Sequence, residues 1–283
     1  MKTRVITGLI IILAMTAVLL LSTTPVFPIT LALLAVIAIK EVLSVHSLQK
    51  NLALAIPSYT VAAVMPVLAY AMRVVLGKPE TSFIIILAAA LLVLMMYMLG
   101  VAVFAKGKTP YSVFASAFVM VMYIIASFSA ICILRYIVDD TIGLFCLGLV
   151  LVGAWISDVF AYFTGVLFGK HKLIPEVSPK KTVEGSVGAI VFTTVATVLL
   201  GVIGSAVTGI KSNYLVLAIS GPVLSVAGQL GDLFASLVKR EYGVKDYGNL
   251  LPGHGGIMDR FDSILATSAV TLVITLLFTP FSW

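Results

Sequence analysis

The sequence predicts an all-α, polytopic integral membrane protein with about nine transmembrane helices and a cytoplasmic N-terminus. Three observations carry that reading. Hydrophobic residues fill 61% of the 283 positions and charged residues only 11%, at a mean hydropathy of +1.17, far from the balance of a soluble domain. Nine apolar runs are long enough to cross a hydrocarbon core as helices. Lys and Arg gather in alternate loops, as expected when positive charge stays on the cytoplasmic side.

The runs occupy approximately residues 5–21, 26–45, 52–72, 82–105, 111–134, 142–168, 186–210, 214–235 and 261–281. The first opens on Lys2 and Arg4 like a secretory leader. Ser22-Thr23-Thr24-Pro25 follows it in place of a small-x-small cleavage motif, so retention is expected. The second is interrupted near its end by Lys40 and Glu41, and this end is expected to project into water as a helix. Of the 18 basic residues, only Arg73, Lys78, Arg135 and Lys211 fall in the loops of one side; the other 14 share the N-terminal side. That places the N-terminus in the cytoplasm and the C-terminus outside. An even number of spans would scramble this asymmetry.

The chain is read as a single polytopic membrane domain, 1–283. Residues 1–140 supply N-terminal helices without a catalytic motif, and 141–283 supply catalytic helices and cytoplasmic loops. A net charge of +6 does not point to nucleic acid, because the basic residues are scattered through short loops without interleaved exposed aromatics. Cys132 and Cys146 lie in or beside apolar runs, where packing is the expected role. No repeat of 20–50 residues and no pair of inverted broken helices marks a transporter.

Eight of the 12 carboxylates follow residue 150, several inside or at the edge of apolar runs, where charge is costly and points to function. Asp158 shares one helix face with Tyr162, Gly165 and Gly169, a stripe suited to protein or a water-filled cavity; the two glycines are equally explained by close helix packing. In the eighth run Gly221, Ser225, Gly228, Asp232, Ser236 and Lys239 fall within an arc of about 80°. The polar stretch from Lys239 to Asp262 contains five glycines between Gly243 and Gly256, whose freed backbone amides could cradle phosphate oxygens. Asp259 and Asp262 open the ninth run on one side of its first turn; one could cap that helix. Two acids there, with Asp232 on the preceding helix, suggest a magnesium–phosphate site, since magnesium combines one or two carboxylates with substrate phosphates. Ser178 is a plausible helix N-cap with Pro179 at the first helical position. Lys180 and Lys181 at that helix start suit phosphate contact, while Lys170 and Lys172 suit anchoring to acidic headgroups. His254, between glycines, suits phosphate contact or loop support ahead of proton transfer.

The stretch from Ser236 to Asp262, SLVKREYGVKDYGNLLPGHGGIMDRFD, resembles the signature of the phosphatidate cytidylyltransferase (CDP-diacylglycerol synthase) family. Ser236, Lys239-Arg240, Lys245-Asp246, Gly248, Pro252, His254-Gly255-Gly256, Asp259-Arg260 and Asp262 fill its positions. The segments from Asp158 to Gly165 and from Ser178 to Gly185 are similar to other parts of the family, so the likeness covers roughly residues 150–265. It implies an integral membrane enzyme that joins CTP to phosphatidic acid, releasing pyrophosphate and CDP-diacylglycerol. It also implies a divalent cation, magnesium or manganese, with room for a second, and a homodimer. By the same resemblance Asp232 and Asp259, joined by Asp262, would hold the metal, with Asp158 and Asp246 as further acids. Lys239, Arg240, Lys245 and Arg260 would hold phosphates, alongside Ser178, Lys180, Lys181, His254, Gly255 and Gly256 as substrate contacts. A bacterial-type inner membrane with the site on its cytoplasmic side is expected. Two alternatives compete: a related CTP-using enzyme, such as a lipid-alcohol kinase or a CDP-alcohol phosphotransferase, and a cation-coupled transporter. The phosphotransferase run D-x-x-D-G-x-x-A-R is absent, because Ser263 follows Asp262. A transporter does not explain acids and bases concentrated on one side.

Overall fold

The computed structural model describes residues 2–77, 79–105 and 109–283. Lys78, Lys106 and Lys108, three of the basic residues used above for orientation, lie outside the described residues, as do the side chains of Lys2 and Arg4. Among the described residues, eight helices are long and apolar enough to span a membrane, and a shorter apolar helix covers Thr7–Leu20. The protein is a mostly helical polytopic membrane protein. Its chain divides into two compact units, one holding the residues up to Ile133 together with Glu241–Arg260, the other Leu134–Arg240 with Phe261–Trp283.

The first unit contains α1 (Lys2–Leu20), α2 (Val26–Val45), α3 (Leu52–Tyr70) with a π-helical turn at Ala71–Val75, α4 (Glu80–Phe104) and most of α5 (Tyr111–Tyr136). Helix α2 packs on α3, and α3 on α4. Lipid is as apolar as leucine, so close backbone approach through small residues drives such packing; Ala35 and Ala38 on α2 are wholly buried. Helix α4 instead leaves Ile85, Val93 and Val103 exposed, as a hydrocarbon-facing helix should. The cysteine reading holds: Cys132 is buried and unbridged, and its thiol donates to the Pro66 carbonyl at 3.1 Å.

The end of α2 departs from expectation. Glu41 does not project into water; only 8% of it is exposed, because its carboxylate is enclosed by the backbone of the loop 241–260 described below. His46, which closes α2, is buried too. Its Nδ1–H donates to the Val42 carbonyl at 2.8 Å, its Nε2 meets Ser116 Oγ at 2.9 Å, and its ring lies 4.3 Å from that of Tyr242. Burial pushes the imidazole below its ordinary value of 6.5, because the charged ring is the form that suffers from lost water.

The second unit contains α6 (Asp140–Leu151), a π-helical turn at Val152–Ile156, α7 (Ser157–Phe168), strands β1 (Lys172–Ile174) and β2 (Ser178–Thr182), α8 (Val183–Thr208), β3 (Lys211–Ser212), α9 (Tyr214–Glu241), most of α10 (Met258–Phe278) and β4 (Phe281–Ser282). Asp139 caps α6 by accepting from the Thr141 and Ile142 amides at 2.8 and 2.9 Å, a standard use of Asp at a helix start. The sixth predicted run is therefore one span, Asp140–Phe168, broken by a π turn, a device often found at functional sites. Thr267 donates to the Val150 carbonyl beside that turn at 3.1 Å. Gly153 within it lets α9 and α10 close in, since a methyl there would stand 2.9 Å from Leu224 and 3.1 Å from Thr267.

The expected N-cap at Ser178 is corrected. Ser178–Thr182 is a strand paired antiparallel with Lys172–Ile174, and Thr182 is the capping residue. Thr182 is extended, at φ −124° and ψ 154°, and its hydroxyl accepts from the Gly185 amide at 3.1 Å. Pro179 suits the preceding strand because it tolerates edge positions that need no donor. A second short ribbon pairs β3 with β4.

Candidate functional site

Helix α9 brings its small and polar stripe against protein, as its spacing requires. A methyl on Gly221 would meet Thr194 at 2.4 Å, and one on Gly228 would meet the Gly153 carbonyl at 3.0 Å. Ser157 and Ser225 share a hydrogen bond at 2.9 Å, Gln229 donates to Ser225 Oγ at 3.1 Å, and Ser186 donates to Gln229 at 2.6 Å. This chain of polar groups ties α7, α8 and α9 together without any charge. Sequence inspection had not singled out Gln229 or Ser186.

One turn further along α9 the charges begin. Lys181 on β2 places its Nζ 2.6 Å from Asp232 Oδ2, with the two side chains 20% and 29% exposed. Partial burial makes such a pair worth more than a surface ion pair. Ser236 donates to Asp232 Oδ1 at 3.4 Å. Asp262 on α10 feels the charges of Asp232, Lys239 and Asp158 together. Ser263 Oγ lies 3.2 Å from Asp158 Oδ2 and 3.5 Å from Asp262 Oδ1, and the Ser263 amide donates to Asp262 Oδ1 at 2.8 Å. Lys239 is buried on the same helix as Asp232. The second unit thus assembles Asp158, Lys181, Asp232, Lys239 and Asp262 into one cluster, with Ser263 as an unforeseen bridge. Gly165 and Gly169 of the Asp158 stripe pack on Thr182, while Tyr162 is exposed.

Arg240 and Lys180 are exposed. The Arg240 Nε donates to the Val177 carbonyl at 3.4 Å, which holds the turn between β1 and β2 to the end of α9. Glu184 steadies the base of that hairpin, accepting from the Lys170 and His171 amides at 3.1 and 3.2 Å and meeting His171 Nδ1 at 2.6 Å.

In the first unit, the loop 241–260 is stapled by two carboxylates. Asp259 Oδ2 accepts from the Tyr247 amide at 2.7 Å and the Gly256 amide at 3.0 Å. Glu41 accepts from the Ile257 amide through Oε1 and the Met258 amide through Oε2, both at 2.9 Å. Gly255 adopts φ +83°, and a methyl there would stand 2.8 Å from Asp259 Oδ2; one on Gly256 would stand 2.5 Å from the Glu41 carboxylate. Glycine is required at both because side chains would block the carboxylates. The amides of Gly256, Ile257 and Met258 donate within the protein, and the His254 amide donates to the Leu251 carbonyl at 2.9 Å. His254 Nδ1 is buried and has no hydrogen-bond partner among the described residues. Asp246, Lys245 and Arg260 are exposed.

Among the described residues no three His, Cys, Asp or Glu side chains stand ready as a metal cluster. The oxygen donors present are nevertheless of the type that a hard divalent cation takes. Asp158, Asp232 and Asp262 are oxygen donors under mutual electrostatic influence, and the Lys181 ammonium already sits where Asp232 attracts a cation. Magnesium takes only one or two carboxylates when substrate phosphates complete its shell.

These features define a polytopic membrane protein with a charged, lysine-bearing cluster at the ends of its helices. A family profile described as "Cytidylyltransferase family" matches residues 2–278, and the chain belongs to that family; it is a membrane-embedded nucleotidyltransferase. A phosphatidate cytidylyltransferase of Staphylococcus haemolyticus is 30% identical over 266 residues, 94% of this chain and 95% of that protein. One of Bacillus subtilis is 50% identical over 126 residues, 44% of this chain and 45% of the relative. One of Mycobacterium leprae is 44% identical over 153 residues, 54% of this chain and 46% of the relative. The matched stretches of the latter two therefore span less than half the length of those proteins.

Proposed function

We propose that this protein transfers the cytidylyl group of CTP to phosphatidic acid, forming CDP-diacylglycerol and pyrophosphate. The observation that carries the reading is the Lys181–Asp232 pair at 2.6 Å within a cluster of three acids and two lysines, together with a match over nearly the whole chain to one relative whose name states this activity. A phosphate oxygen of phosphatidic acid attacks the α-phosphorus of CTP in line. The new P–O bond forms as the bond to the β-phosphate bridging oxygen breaks, and that oxygen leaves with pyrophosphate. Both reactants are anions, so positioning and charge neutralisation supply most of the acceleration.

Lys180, Lys181, Lys239, Arg240, Lys245 and Arg260 neutralise phosphate charge, with Ser178 and His254 as hydrogen-bonding contacts. Phosphatidic acid is already ionised near neutral pH, so no protein nucleophile or strong general base is needed. Asp232, Asp259 and Asp262 would hold magnesium, with manganese a substitute and room for a second cation, and Asp158 and Asp246 would add to the negative field. The bound metal supplies charge neutralisation on phosphate oxygens. The site faces the cytoplasm at a bacterial-type inner membrane, where a soluble nucleotide meets a lipid headgroup, and the enzyme works as a homodimer.

The test is turnover by purified protein in detergent micelles with phosphatidic acid, radiolabelled CTP and magnesium. Labelled CDP-diacylglycerol and pyrophosphate in equal amounts are expected. Label transferred instead from the γ-phosphate of CTP to diacylglycerol would overturn the assignment in favour of a lipid-alcohol kinase.

A further inference from the structure

We infer that Glu41, on a helix outside every motif of the sequence, is the positioning residue that fixes the catalytic loop and the start of α10; the inference rests on the reading just proposed. A carboxylate inside an apolar span is costly unless something compensates it. Among the described residues Glu41 makes no ion pair. Its compensation is the pair of amides of Ile257 and Met258, each at 2.9 Å, which stand at the N-terminus of α10 and have no acceptor within the helix. The helix dipole adds to the attraction. Glu41 therefore caps α10 from 216 and 217 residues away in sequence.

The cap sits beside the chemistry. Met258 immediately precedes Asp259, and Asp259 in turn gathers the Tyr247 and Gly256 amides. The two staples overlap at Gly255–Gly256, where each glycine admits one carboxylate. Gly248 belongs to the same enclosure, since a methyl there would stand 2.7 Å from Glu41 Oε1. Removing the Glu41 charge leaves the Ile257 and Met258 amides without their acceptor and frees the register of the first turn of α10. Asp259 then loses its fixed direction although its own side chain is intact.

The experiment compares wild type, Glu41→Gln and Glu41→Ala as full-length protein in detergent. Glutamine keeps the volume but offers only one acceptor, so it folds where alanine could fail. Outer-shell partners of a metal site commonly change affinity or activity roughly 10–100-fold. A fall in kcat of that order for Glu41→Gln is expected, with a raised magnesium concentration for half-maximal rate and a modestly lowered melting temperature. Hydrogen exchange followed by mass spectrometry should show faster exchange at Ile257 and Met258. Wild-type exchange and wild-type magnesium dependence in both variants would overturn the inference. The exchange measurement needs no turnover, so it judges Glu41 even if the wild-type protein makes no CDP-diacylglycerol, an outcome that would instead overturn the proposed activity.

Discussion

Two sets of acidic side chains do different work, one around the loop 241–260 of the first unit and one in the α9 cluster of the second. In the first, Asp259 and Glu41 accept hydrogen bonds from four backbone amides, and the loop they hold is built around them. In the second, Asp232 faces an ammonium and a hydroxyl, and Asp158 and Asp262 share the hydroxyl of Ser263. Backbone amides cannot leave without unfolding the loop. A lysine or serine side chain can rotate away and leave its place to a cation. One set of carboxylates is therefore held by backbone amides and the other chiefly by side chains, although composition alone makes them look alike.

The sharpest way to break this distinction is Asp232→Asn. Loss of a group that organises transition-state charge costs about 10²–10³-fold, so turnover of CTP with phosphatidic acid should fall by at least that much with the fold intact. If the melting temperature fell and the remaining folded protein turned over normally, Asp232 would belong with the architectural acids. Next comes Lys181→Met. A charge-assisted hydrogen bond contributes about 1.5–3 kcal/mol, which corresponds to roughly a 10–100-fold drop in kcat/KM for CTP; arginine should restore it only in part, because its planar fork does not replace a point charge.

Gly256→Ala probes the architectural side. Its methyl would reach within 2.5 Å of Glu41, and forced overpacking costs about 1–3 kcal/mol, readable as a lowered melting temperature in detergent. An unchanged melting temperature would mean that the loop yields easily and is not stapled. The smallest effect concerns pH. Burial holds His46 below 6.5, so the unfolded chain takes up its proton first as pH falls. The stabilising contribution is complete above the ordinary histidine value and is lost as pH drops through the depressed folded value. Melting temperatures between pH 7.5 and 5.5 should fall more for wild type than for His46→Gln.

Much of the fold was legible because a span needs only length and apolarity, both of which are local properties of the chain. The α9 stripe was equally legible, since 3.6-residue periodicity alone puts Gly221, Ser225, Gly228, Asp232 and Lys239 on one face. Misreadings arose where a distant partner decided the outcome. Ser178-Pro179 resembles a helix start, but pairing with Lys172–Ile174 makes it a strand and passes the cap to Thr182. Glu41 looked like a flaw in a span because its acceptor role is defined by amides more than two hundred residues later.

The order of the chain by itself determined that this protein lies in a membrane as a bundle of apolar helices and which residue types gather near its end, because insertion energetics and helical period act residue by residue. Only the tertiary structure decided which carboxylates bind backbone and which face lysines. A hydrogen bond depends on a few tenths of an ångström between atoms that the sequence separates without limit, so only the folded chain can assign its partners.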